Sequence, residues 1–164
     1  MNVRLITDMH FMHEAVKNYC NRPDNYEQLL FKWLQSIPDT DVLICLWDIC
    51  IWHDTIVHQQ YIMPLKCTKI LVRGNHDRKT DHWYYQHWWT FICTSFTNYL
   101  FWHHLIFSHE PKIVDEQSIN IHWHQHNRRD IEQHQWYHWL VLSCEDEKYK
   151  PITLQRFLSD RKII

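Results

Sequence analysis

Apolar and polar positions divide this chain into short strands and helices, and each early strand ends beside a side chain able to bind a metal. Val3-Arg4-Leu5-Ile6-Thr7 alternates and then runs apolar, predicting a strand with Asp8 and His10 just past its C-terminal end. His13 to Tyr19 suits a short helix, stopped by the turn-prone Asn21-Arg22-Pro23-Asp24-Asn25. Asn25 with Gln28 fits a capping box, and Tyr26, Leu29, Leu30, Trp33 and Ile37 recur at helical spacing until Pro38-Asp39. Asp41 to Leu46 is a second strand leading into Trp47-Asp48. Asp54 to Met63 is helical, with Pro64 as its stop. Thr68 to Arg73 is a third strand, running into Gly74-Asn75-His76-Asp77. Strands separated by helical segments predict βαβ units and a largely parallel layer.

The second half has shorter periods. Asp81 to Thr90 is aromatic without a period and reads as a loop or irregular helix. Tyr99 to Trp102 and Leu105 to Ser108 form a hairpin around His103-His104, although that turn lacks the usual Asn-Gly or Asp-Gly. Ser118 to His122 and Trp139 to Cys144 are further strands, and Pro151-Ile152-Thr153 opens a last helix to Leu158 with Thr153 as N-cap. This half reads as more antiparallel than the first. The expected fold is α/β, two packed mixed sheets sandwiched by helices, in one domain over residues 1–164.

Composition changes that picture in two ways. The chain has 164 residues, 45% of them hydrophobic and 22% charged, enough for a sizeable core. A formal charge of −2 gives no global pull toward long nucleic acids or an anionic membrane. No apolar run reaches the roughly 18 residues a membrane helix needs, and the N-terminus lacks the plan of a signal peptide, so a cytoplasmic protein is expected. The six cysteines are scattered without a C-x-x-C pair and read as buried thiols. One glycine stands where average usage gives roughly eleven. Ten tryptophans and fifteen histidines are unusually many, the composition of a synthetic or strongly drifted sequence.

The candidate chemistry lies at the strand ends. Asp8, His10, Asp48, Asn75, His109, His124 and His126 are oxygen or imidazole donors, each just past a predicted strand or in the turn after it. Carboxylate, imidazole and amide without thiolate suit Mn²⁺, Fe, Zn²⁺ or Ni²⁺ better than a structural zinc. The donors are too many for one ion and about right for two divalent ions sharing a carboxylate. Such ions, roughly 3.5–4 Å apart, can clamp the attacking and leaving oxygens of a phosphoryl displacement.

The order Asp8-Met9-His10, Trp47-Asp48, Gly74-Asn75-His76-Asp77, His109 and His124-Gln125-His126 resembles the calcineurin-like metallophosphoesterase superfamily. His10-Phe11-Met12-His13-Glu14 with Cys20-Asn21-Arg22-Pro23 is further similar to its small bacterial and phage members. The resemblance implies a four-layer α/β/β/α fold and hydrolysis of phosphomono- or phosphodiesters by hydroxide at a dinuclear centre, with Mn²⁺ favoured. The implied substrate is a small phosphate ester or nucleotide. Asp8, His10 and His126 would hold the first ion, Asp48 would bridge, and Asn75, His109 and His124 would hold the second. His76 would contact phosphate and protonate the leaving oxygen, Asp77 would orient its ring, and Arg22 would clamp phosphate oxygens, with Arg73 and Arg78 as lesser candidates.

Met12, Trp47 and Trp123 stand where the family has glycine. If the backbone there needs glycine angles, each costs on the order of 1 kcal/mol or more. The competing expectation is therefore a folded metal-binding relic, or a synthetic variant of the fold, with its site spoiled at Trp47 and Trp123.

Overall fold

The computed structural model describes residues 1–122 and 139–164. The first three apolar runs form β1 (Val3–Thr7), β2 (Val42–Leu46) and β3 (Thr68–Val72), paired in parallel with Leu5 opposite Ile44 and Ile44 opposite Ile70. A short β4 (Phe91–Cys93) adds to β3 in parallel, and β9 (Ile152–Thr153) closes the other edge antiparallel to β1. The sheet order is β4-β3-β2-β1-β9.

The connecting segments are α1 (Glu14–Tyr19), α2 (Tyr26–Gln35), α3 (Asp54–Val57, continued by a π-helical turn at His58–Ile62) and α4 (Asp81–Gln86). Because the path β1 to β4 steps one way along the sheet, right-handed crossovers put every connecting helix on one face. Val16, Leu30, Leu34, Val57, Ile62 and Tyr84 accordingly share a cluster with Ile6, Leu43, Cys45 and Leu71 of the strands.

Alternate strand residues point the other way. Leu5, Ile44, Leu46 and Val72 meet Leu105, Phe107, Ile119 and Ile121 of a second sheet, each fully buried Leu or Phe contributing about 1.5–3 kcal/mol. That sheet is β5 (Ser95–Leu100), β6 (His103–Ser108), β7 (Ser118–His122) and β8 (Trp139–Val141), in that order. Both sheets are mixed, as expected, but β6, β7 and β8 run parallel and only β5–β6 is antiparallel. The final helix α5 (Leu154–Asp160) starts where Thr153 accepts a hydrogen bond from the Arg156 N–H, and buries Leu154, Phe157 and Leu158 between the sheets. Of the two expected outer helical layers, the described residues supply the one over the first sheet.

Three local expectations change. The Asp81–Gln86 stretch is a regular helix, capped by the Thr80 side chain accepting from the Trp83 N–H. Asn25 is the N-cap of α2 but makes no side-chain cap bond, its ψ of 16° lying away from the extended values such caps use. The hairpin turns on Phe101-Trp102 rather than His103-His104, with φ of 52° and 67°; Leu100 pairs His103 and Tyr99 pairs His104. Two successive positive φ values match strand twist across a two-residue connection, so geometry overrides residue preference here. No helix among the described residues is long and apolar enough to cross a membrane.

Candidate metal centre

Parallel strands end at the same edge, so the loops after β1, β2 and β3 meet there. Pairing continues past the strands: Asp8 N–H donates to Trp47 O (3.2 Å), His10 N–H to Asp48 O (3.0 Å) and Phe11 N–H to Ile49 O (2.9 Å). This interlocking brings ligand atoms of Asp8, His10 and Asp48 within 4.8 Å of one another. All three are buried, at 1%, 3% and 4% exposure. His10 Nε2 is 3.6 Å from an Asp8 oxygen. The Thr7 hydroxyl sits between Leu46 O, 2.7 Å away, and Asp8 Oδ2, tying the first carboxylate to the end of β2.

The loops are held from several sides. Asp77 is buried, and its carboxylate accepts from the Asp48 N–H (3.0 Å), Ile49 N–H (3.3 Å) and Gly74 N–H (3.0 Å). Burial pushes its carboxyl up to about 6, against the pull of those three amides. Asp77, expected to orient the His76 ring, accepts from main-chain amides that join the third loop to the second. The structure also shows why glycine survives at 74. Its φ is not positive; instead a Cβ there would overlap Asp48 Oδ1 and lie 2.6 Å from the Trp47 Cβ.

Beneath the first loop, Arg22 donates from its two terminal nitrogens to Met9 O (2.9 Å) and Asp8 O (2.7 Å), and Tyr26 Oη donates to His10 O (2.7 Å). The Arg22 side chain has no exposed surface and pairs with Glu145 at 2.6 Å. A phosphate clamp must face solvent, so the expected substrate role of Arg22 does not fit its placement. Arg73 is engaged with Asp81 (3.2 Å) and Lys79 O, and Arg78 Nε donates to Asn75 O (3.0 Å).

The second group of donors also converges. His109 follows β6, and its Nε2 lies 2.7 Å from Asn75 Oδ1, so two expected ligand atoms of one ion are in contact. Asp48 Oδ1 accepts from the N–H of His76, the residue after Asn75, at 3.2 Å, and the His76 ring is 6.1 Å from that of His10. His13 is 5.5 Å from His10, ring to ring. His124, His126 and Trp123 lie outside the described residues.

The donor set fits divalent cations. Two carboxylates and an imidazole, buried and converging, are costly without a counter-charge, and the nearby guanidinium is already matched by Glu145. Oxygen and nitrogen donors without thiolate suit Mn²⁺, Fe, Zn²⁺ or Ni²⁺. Sequence reasoning missed Thr7, Tyr26 and Glu145 as parts of this site. Tyr26 carried only a helical core signal, and Glu145, 123 positions from Arg22, carried none.

Trp47 and Met12 do adopt left-handed backbone, with φ of 57° and 58°, and Asp8, His10 and Asp48 share it. The Trp47 indole is fully buried in the inter-sheet cluster and packs edge-on against the ring of His109 at 4.6 Å.

Asp8, His10 and Asp48 at this sheet edge form a candidate metal site. Residues 1–160 match the family model of calcineurin-like phosphoesterases, and the chain belongs to that family. It is 32% identical over 82 residues to the uncharacterized protein MJ1445 of Methanocaldococcus jannaschii, a match spanning 46% of this chain and 47% of that protein. The chain thus aligns with about half the length of that relative. Its fold is similar to the crystal structure of AQ665, a protein of unknown function from Aquifex aeolicus, with a TM-score of 0.75, 22% identity and 99% of each chain covered.

Proposed function

We propose that the protein is a metal-dependent phosphoesterase acting on small phosphomono- or phosphodiesters, nucleotides included, with two divalent ions, Mn²⁺ foremost. The observation that carries this is the convergence of buried Asp8, His10 and Asp48 at the sheet edge of a calcineurin-like chain. Asp8 and His10, completed by His126, take the first ion. Asp48 bridges, and Asn75 and His109, completed by His124, take the second. Divalent ions held by these residues would supply charge neutralisation of phosphoryl oxygens and a lowered pKa for bound water. His76, partly exposed beside Asp48, contacts the phosphate and protonates the leaving oxygen. Asp77 holds the turn that presents Asn75 and His76, and Arg22 is left out of the substrate set.

Catalysis is favoured over a relic because the Trp47 side chain is absorbed into the inter-sheet core, where it packs against His109. The test is hydrolysis of p-nitrophenyl phosphate and bis-p-nitrophenyl phosphate with added Mn²⁺, beside metal analysis. Asp48→Asn is expected to lose metal and turnover together. His76→Ala is expected to keep metal and lose about 10²–10⁴-fold in kcat. Metal near two per chain without turnover on either ester would establish the relic instead.

A further inference from the structure

Three consecutive carbonyls of the first ligand loop, those of Asp8, Met9 and His10, point inward and are all met by side chains from the α1–α2 region. Inward carbonyls leave the Asp8 and His10 side chains to face the other way, toward Asp48. The local sequence is suited to deliver this. Asn21 takes a left-handed φ of 50° just after α1, and the Arg22 N–H closes back on Lys17 O at 2.9 Å, a Schellman ending that drops the next side chain under the loop. Pro23 then prevents the helix from continuing.

The guanidinium is fixed at its far end as well. Arg22 Nε donates to Glu145 Oε1 at 2.7 Å, the Ser143 hydroxyl lies 3.2 Å from Glu145 Oε2, and the cation sits 5.0 Å from the centre of the Tyr26 ring. Glu145 belongs to the loop after β8, so this ion pair ties the C-terminal part of the chain to the residue that holds the first ligand loop. That pair is neutral. Without Glu145, an uncompensated buried cation would stand directly behind the donors and repel the ions they are arranged to hold.

We infer that Arg22, clamped by Glu145, is a positioning residue that sets the orientation of the Asp8–His10 loop and thereby its affinity for metal. This rests on the metal-centre reading above, and it replaces a role in substrate binding. Arg161 provides an internal control. It makes the same kinds of bond, to Phe157 O (3.2 Å), Val141 O (3.1 Å) and the Glu147 carboxylate (3.7 Å), but none of them to the Asp8–His10 loop.

The experiment compares Arg22→Gln, Arg22→Lys, Glu145→Gln and Arg161→Gln by Mn²⁺ titration calorimetry, and by amide hydrogen exchange of the metal-free proteins. Arg22→Gln is expected to weaken Mn²⁺ binding about 10- to 100-fold. It should also remove protection at the His10 and Phe11 amides, which donate to Asp48 O and Ile49 O. Arg22→Lys should recover part of both losses, and Glu145→Gln should weaken binding while keeping most of the protection. Arg161→Gln should lower the melting temperature and leave Mn²⁺ affinity and loop protection as in the wild type. Should Arg22→Gln fail to fold, the lysine and Glu145→Gln variants decide. Unchanged protection in the Arg22 variants, or an equal effect from Arg161→Gln, overturns the assignment. A wild-type protein that binds no Mn²⁺ refutes the metal reading instead, while exchange in the metal-free proteins still shows whether Arg22 orders the loop.

Discussion

Left-handed backbone on side chains other than glycine is found at the ligand loops and again at the β5–β6 hairpin tip, and the two places are built differently. At the loops, Asp8, His10, Trp47 and Asp48 carry positive φ among buried hydrogen bonds donated by Arg22 and Tyr26 and accepted by Asp77. At the tip, Phe101 and Trp102 carry it in the open, Trp102 being 87% exposed, with only the strand ladder to enforce it. Each such residue costs about 1–2 kcal/mol. Strain in the loops is over-determined by its surroundings and puts donors where a metal needs them. Strain at the tip is the cost of a tight turn made from the wrong residues.

The largest effect should come from breaking the over-determined side at its tightest point. Gly74→Ala forces a Cβ into Asp48 Oδ1 and the Trp47 Cβ, atoms fixed by the very bonds that hold the loops. We expect a loss of about 3 kcal/mol in urea unfolding, the upper range for overpacking, together with loss of Mn²⁺ binding by calorimetry. A variant that folds and binds Mn²⁺ like the wild type would show that the loops can part without cost.

A second measurement separates the loops from the helical layer behind them. His58 opens the π-helical turn, is fully buried among Trp83, Tyr84 and Trp89, and donates from Nδ1 to Asp54 O at 2.9 Å. Burial, as the largest cause, pushes its pKa down from 6.5 to about 4. The folded chain therefore holds fewer protons than the unfolded chain between those values, and stability falls as pH drops through that window. The full loss is about 3 kcal/mol. Buried Asp77, raised to about 6, acts in the opposite sense over nearly the same window, so the histidine's contribution is read as the difference between wild type and His58→Gln in unfolding titrations of the metal-free protein. Identical profiles for the two proteins would overturn the assignment to His58.

How much of this was legible follows from what kind of signal each feature leaves. β1, β2, β3 and β7 declare themselves because apolar runs bounded by turn residues have few other readings, and Asp8, His10, Asp48, Asn75 and His109 follow from their place after strands. β4 is three residues behind an aperiodic aromatic run and leaves no pattern to read. The parallel course of β6, β7 and β8 is equally silent, because strand direction is set by the crossovers and not by the strands. Arg22 was legible as a special arginine, but its direction depends on Glu145, which no local pattern marks. Asp77 shows the same limit: its adjacency to His76 suggested one partner, while the fold gave its oxygens to amides of a loop some thirty positions away.

Trp47 tests whether strain or packing governs the ligand loops. Restoring glycine relieves about 1–2 kcal/mol of left-handed strain but removes a fully buried indole from between the sheets, which costs about 3–5 kcal/mol. A net loss of about 2 kcal/mol is expected for Trp47→Gly in urea unfolding. Met12→Gly, at an exposed position with φ of 58°, should instead gain about 1 kcal/mol. A net gain at Trp47 would show that its core contacts contribute little.

The smallest effect belongs to the hairpin and completes the contrast. Replacing Phe101 and Trp102 with Asn and Gly supplies residues that tolerate positive φ at both positions of a two-residue connection. With the ladder from Ser95↔Ser108 to Leu100↔His103 unchanged, about 1 kcal/mol of the tip's strain should return as stability. Mn²⁺ affinity and phosphoesterase activity should not move, because the tip lies at the opposite end of β6 from His109. Thermal unfolding with and without Mn²⁺ reads both quantities at once. A rise in melting temperature with the metal-induced increment unchanged would show that left-handed residues at the tip can be relieved freely. A change in that increment would mean that the hairpin reaches the ligands along β6, and that strain at the two places is coupled.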